Sequence, residues 1–211
     1  MIFGLTPLPQ TPVILAQFFA ILSFGLAGGM TPGPNNTLLM ISGARWGFAA
    51  TVPHILGILA GFPVMMFVVG LGVGEFFKRY PVLELAIRYA CLAWILYLAY
   101  QTFRAGMPDV TANASGRPMR FWEAAAFQWV NPKAWLMAIG APALFIVPGQ
   151  DKATGILIVT LGFFLSAIPS TLTWCFFGTA IARFLNTGKR VRIFNAVMAI
   201  LLVASVIPIF L

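Results

Sequence analysis

The sequence predicts an all-α integral membrane protein, six transmembrane helices arranged as two inverted repeats of three. Three observations predict it. Charged residues make up 9% of the 211 positions and hydrophobic ones 60%, whereas a soluble globular domain carries about 25% charge. Six apolar runs reach the roughly 20 residues that a helix needs to cross a bilayer. Two interruptions couple proline to asparagine, one near Pro32–Pro34 and one at Asn131–Pro132, about half a chain apart.

The same composition excludes a soluble globule and a disordered chain, which needs low hydrophobicity. The net charge of +8 is no nucleic-acid signature here, because the cations sit mostly between apolar runs, where they set orientation and touch anionic lipid. Cys91 and Cys175 lie in separate apolar runs with no CxxC pairing. They read as packing residues, with no disulfide framework, metal site or cofactor.

The runs justify the six spans in order. The first, 13–30, holds no charge, and its N-terminal flank has no Lys or Arg. A signal peptide wants a basic flank, so this reads as an uncleaved span. The second, 46–74, is uncharged and carries Pro53 and Pro63. The third, 82–103, holds Glu84 and Arg88 four residues apart, in the favourable order for an ion pair near the interface. The fourth, 124–150, has Lys133 as its one charge. The fifth, 153–182, is uncharged and carries Pro169, and the sixth is 193–211. The second and fifth are long enough to tilt or kink. Gly25 with Gly29 and Gly57 with Gly61 have the small-xxx-small spacing of close helix packing.

The chain reads as a single transmembrane domain. Repeat 1 covers about 13–104, a cytoplasmic linker about 105–121, and repeat 2 about 122–211. Connections after spans one, three and five carry Arg45, Arg104, Arg117, Arg120, Arg183, Lys189, Arg190 and Arg192, against Lys78, Arg79 and Lys152 after spans two and four. Basic loops stay in the cytoplasm, so both termini are expected outside. Three spans per half force the halves into opposite orientations, and in such transporters the substrate site lies where corresponding helices break. Pro32 and Pro132 are 100 residues apart. Proline frees the carbonyl one turn earlier, and polar backbone at membrane depth must face protein or a wet cavity. A half-helix starting there points N–H groups at a carboxylate. The segment Thr31-Pro32-Gly33-Pro34-Asn35-Asn36 also fits an ordinary turn between spans one and two. Both readings stand at this point.

The strings MTPGPNN, SGARWGF, GILAG and FQWVNPKAW resemble the lysine-exporter/homoserine-threonine-exporter (LysE/RhtB) family of bacterial amino-acid exporters, over nearly the whole chain. The resemblance implies a six-helix, multi-pass bundle in the inner membrane that exports an amino acid as a secondary transporter, by alternating access driven by a proton or substrate gradient. It implies no enzyme and no cofactor. Partners would be the amino acid and the bilayer, with no nucleic acid and a homo-oligomer left open. It carries over Pro32, Gly33, Pro34, Asn35, Asn131, Pro132 and Lys133. With Thr31 and Asn36 of the same break, these form the expected substrate-binding set. By the same resemblance a lysine exporter would carry an acidic residue in the second span. Here 46–74 has none, which favours a neutral substrate of threonine/homoserine, branched-chain or cysteine type.

Two residues need weighing. His54, the one histidine, is a candidate proton-coupling group, but more simply a packed residue with no partner visible in sequence. Lys133 reads as a carboxylate holder or counter-ion rather than a snorkelling side chain. Other classes fit less well. No GxxxxGK[ST] motif points to ATP. A membrane thiol–disulfide carrier would need cysteines beside the breaking prolines, and neither break has one. A metal or toxic-cation exporter lacks acidic or soft ligands in the spans.

Overall fold

The computed structural model describes residues 10–73, 79–104, 116–147, 149–185 and 187–204. Its helices, in chain order, are α1 (Gln10–Met30), α2 (Pro34–Val68), α3 (Pro81–Arg104), α4 (Phe121–Phe127), α5 (Pro132–Phe145), α6 (Lys152–Ala182) and α7 (Gly188–Ala204). A π-helical turn, Val69–Val73, extends α2, and a 3₁₀ turn, Gln128–Val130, follows α4. No strand occurs among the described residues. The linker's 105–115, the end of the sixth run and the side chains of Glu84 and Arg88 lie outside the description.

At the first break one helix ends and the next begins within four residues. α1 stops at Met30 because Pro32 and Pro34 supply no N–H. α2 then starts at once with Pro34 as its first residue, where a missing donor costs nothing. The turn comes later. Gly47, at φ +78° and ψ 176°, divides α2 into 34–46 and 48–68. A left-handed φ is open to glycine and strained for other residues. Pro53, Pro63 and Pro169, the places where a kink was expected, lie within helices whose backbone stays helical around them.

Glycine contacts fix the path. A methyl group on Gly25 would strike Ser166, one on Gly29 would lie 2.8 Å from Ser170 Oγ, and Gly43 abuts the backbone of Cys175. So α1 and the first segment of α2 run alongside α6 in the same direction, one after the other. The second segment returns, with Gly57 and Gly61 against Phe121, Ala124 and Ala125 of α4 and Gly70 against Ile156. α4 and α5 follow each other across the 3₁₀ turn and Asn131. α3 packs on α7 through Ile95, Ala99, Ala199 and Leu202, joined by Phe127.

Arg45 and Arg183 share one end of the bundle with the start of α4, and Lys152 stands at the other. Two apolar clusters close the middle. Ile21, Met65, Ala138, Val159 and Phe163 pack toward the Lys152 end, and Leu39, Ile55, Ile58, Ala124 and Cys175 toward the basic end. Large apolar side chains such as Phe19, Val64, Trp122, Leu144, Phe184 and Ile200 point outward and are exposed, a surface suited to lipid rather than water.

Candidate substrate site at the paired helix breaks

The two breaks meet. Between the clusters lies a cavity of about 80 Å³, room for several water molecules or the polar part of a small solute. Gly33, Asn35, Asn36, Asn131 and Lys133 of the predicted set line it. Pro34 and Pro132 are each the first residue of a helix, while Pro32, the proline 100 residues before Pro132, lies between α1 and α2. Pro32, Pro34 and Pro132 shape the breaks without lining the cavity. Thr31 acts through its oxygens.

Each break is tied to the opposite half of the chain. Asn35 Nδ2 donates to Gln128 Oε1 at 2.8 Å, and Gln128 Nε2 donates back to Asn35 Oδ1 at 3.2 Å and to Ala124 O at 2.8 Å. Lys133 Nζ donates to Gly28 O at 2.8 Å, Thr31 O at 3.1 Å and Thr31 Oγ1 at 2.7 Å. These are two carbonyls and one hydroxyl at and just past the C-terminal end of α1, where helical partners run out and the dipole is negative. Gly29 O is capped by Asn36 Nδ2 at 2.6 Å, Ser170 Oγ at 2.7 Å and Trp174 Nε1 at 3.1 Å. Asn131 caps α5, its Oδ1 accepting from Lys133 N at 3.1 Å. Gly33, which precedes α2, has no side chain to do the same, so the first N–H groups of α2 face the cavity region uncapped.

Gln128, Ser166, Ser170 and Trp174 were not singled out by the sequence. The signal that could have found Gln128 is an uncharged amide inside an apolar run, which has to bond to protein. His54 does not line the cavity. It is buried one turn before Ile58, and neither ring nitrogen has a partner. Cys91 and Cys175 are free and buried, with Cys91 Sγ 4.0 Å from Trp129 O, in the turn that leads into the second break.

A lipid-surfaced helical bundle whose two helix breaks meet around a mostly apolar cavity with a few convergent polar groups is built as a transporter, not as an enzyme. The chain belongs to the LysE type translocator family, whose profile matches residues 26–206. It is a membrane amino-acid efflux transporter. Among its relatives, the cysteine/O-acetylserine efflux protein of Salmonella typhimurium is 27% identical over 202 residues, and that of Escherichia coli strain K12 is 28% identical over 205 residues. Each comparison spans 95% of this chain and the whole of the relative. No solved structure matches the chain.

Proposed function

We propose that the protein exports small neutral amino acids of the cysteine/O-acetylserine type, by alternating access around the two breaks. The observation that carries this reading is the cavity itself. Two proline-led half-helices start at it, one cation lines it, and no carboxylate does among the described residues. A lysine or arginine substrate would leave its side-chain charge unpaired there. The backbone N–H groups of Asn35 and Asn36, which no side chain caps, and the Lys133 ammonium suit the α-carboxylate. Ser166, Ser170 and Thr171, with Phe62, Met137 and Phe163, offer a small, mixed wall for a short side chain. Its relatives, the cysteine/O-acetylserine efflux proteins, point to the same class of solute.

In this reading the basic end faces the cytoplasm and both termini lie outside. The inverted repeat draws support from the packing. Exchange of the halves turns α1 on α6 into α4 on α2, and leaves α2 on α6 and α3 on α7 unchanged. The drive is the proton or substrate gradient. His54 would take part only when movement between α2 and α6 lets water reach its unbonded nitrogens.

The test is efflux from cells loaded with labelled cysteine, O-acetylserine or lysine, with expression matched by immunoblot. Cysteine and O-acetylserine should leave faster than from cells lacking the protein, and Lys133→Met should cut that rate at least about tenfold. Export of lysine alone, or of none of the three, would overturn the assignment.

A further inference from the structure

We infer that the C-terminal end of α1 is a ready-made subsite for a primary ammonium, and that Lys133 occupies it as a tethered stand-in for the α-ammonium of the substrate. The inference rests on the proposed amino-acid cavity and adds the way its cationic end is read.

The geometry is that of an ammonium cage. A primary ammonium has three N–H donors and no acceptor. Lys133 Nζ meets three oxygens, Gly28 O, Thr31 O and Thr31 Oγ1, at 2.7–3.1 Å. Gly28 O lies in the last turn of α1 and the two Thr31 oxygens directly follow its end, beside the negative end of its dipole. Gly29 O differs. It is held by three donors from α2 and α6 and is a fixed structural cap. In the Gly28–Thr31 set, Gly28 O also accepts from Thr31 Oγ1 at 2.7 Å and Thr31 O from Asn36 Nδ2 at 2.7 Å, both donors local to the first break. The donor that reaches the set from the other half of the chain is the far end of one flexible side chain, Lys133. That side chain reaches its cage across Gly33, where an added methyl group would lie 2.9 Å from Lys133 Cδ and 3.2 Å from Nζ.

An amino acid entering the cavity brings an ammonium and a carboxylate. No cavity-lining carboxylate among the described residues can pair with the ammonium, so carbonyl and hydroxyl oxygens must hold it. Gly28 lines the cavity, and its O already serves a cation. When the substrate ammonium takes the cage, the Lys133 ammonium is released to the substrate carboxylate. Each charge stays paired throughout, which burial at membrane depth demands. The exchange also cuts the Lys133 tie between α1 and α5. Substrate binding and release of the two halves become one event.

The test is calorimetry on purified protein in reducing buffer with three probes. They are cysteine, cysteamine (the amine without the carboxylate) and 3-mercaptopropionate (the carboxylate without the amine). In Lys133→Met the cage loses its occupant. Cysteamine should then bind about tenfold more tightly than in the wild type, and 3-mercaptopropionate at least about tenfold more weakly. Adding Thr31→Val should reverse the gain for cysteamine. A folded Lys133→Met protein that binds cysteamine no better than wild type overturns the inference, even if wild type binds cysteine. Should Lys133→Met fail to fold, Thr31→Val alone decides. It should weaken cysteamine and spare 3-mercaptopropionate, and equal weakening of both overturns the cage. Wild-type protein that binds neither cysteine nor O-acetylserine is a separate result. It removes the exporter reading, and the subsite with it.

Discussion

Gln128 has no accessible surface, yet it carries an amide into the centre of a membrane bundle. Its oxygen is met by Asn35 and its nitrogen by Asn35 and Ala124. A buried acceptor left without its donor costs about 1–3 kcal/mol, whereas replacing both partners by apolar groups of similar shape is nearly neutral. Asn35→Ala should therefore lower the melting temperature in detergent by several degrees. Asn35→Ala with Gln128→Met should recover most of that loss. Export should stay low in both, because Asn35 lines the cavity as well as bonding Gln128. Recovery of export in the double variant would assign Asn35 to packing alone. Asn35 was legible as a site residue because it follows a helix-breaking proline. Its partner was not, since one glutamine amid Phe127, Trp129 and Val130 leaves no periodic signal.

The same contrast holds for whole elements. Both breaks were legible because a proline without an N–H fits the first position of a helix and few positions inside one. The glycine pairs were legible as packing faces, and Gly25, Gly29, Gly57 and Gly61 do receive neighbouring helices. The segment 34–46 was not legible as a helix packed in the bundle. Asn36, Thr37 and Ser42 lower its hydropathy, yet they are buried against protein, and a hydropathy average cannot tell a polar face turned inward from a loop. Prolines were expected to mark the bends, but the turn belongs to Gly47, where backbone dihedrals decide and proline cannot go. The start of α4 shows a further local device. Glu123 takes Arg117 Nη1 at 2.7 Å and the Arg120 N–H at 2.9 Å. The Arg117 side chain first, and the Arg120 backbone second, hold its carboxyl down at about 2. A carboxyl lowered on folding stabilises above its unfolded value, about 4.3, and that contribution is lost as pH falls through the folded one. Glu123→Gln should thus melt slightly earlier than wild type at pH 7, by about 1 kcal/mol or less for so exposed a pair. The gap should close between about pH 5 and pH 2. A gap that is constant across that range would mean the ion pair does not anchor α4.

Across the whole molecule, the two halves are joined on opposite sides of the cavity by different chemistry. Toward the basic end, Gly57 and Gly61 seat α2 directly on α4, a contact between backbones with little to break. Toward the Lys152 end, the tie is an amide bridge. Gln17 Nε2 donates to Gln150 Oε1 at 3.0 Å and to Phe145 O at 2.6 Å, and Gln150 Oε1 also accepts from Val147 N at 3.2 Å. Gln17 is buried, so its bonds cannot be exchanged for water until α1 moves away from the connection between α5 and α6. In the proposed cycle this is the end that must open to release an exported amino acid. A neutral amide pair suits that task, since it can part without leaving a charge behind. The prediction is made in a background with Cys91→Ala and Cys175→Ser. There Gln17→Cys with Gln150→Cys, joined by a short reducible thiol cross-linker, should stop O-acetylserine efflux down to the level of cells lacking the protein. Reduction should restore it, and each single cysteine variant treated alike should keep its rate. If the cross-linked protein exports at the rate of the unlinked one, α1 and the α5–α6 connection do not separate during transport. The two breaks would then have to deliver substrate by another route.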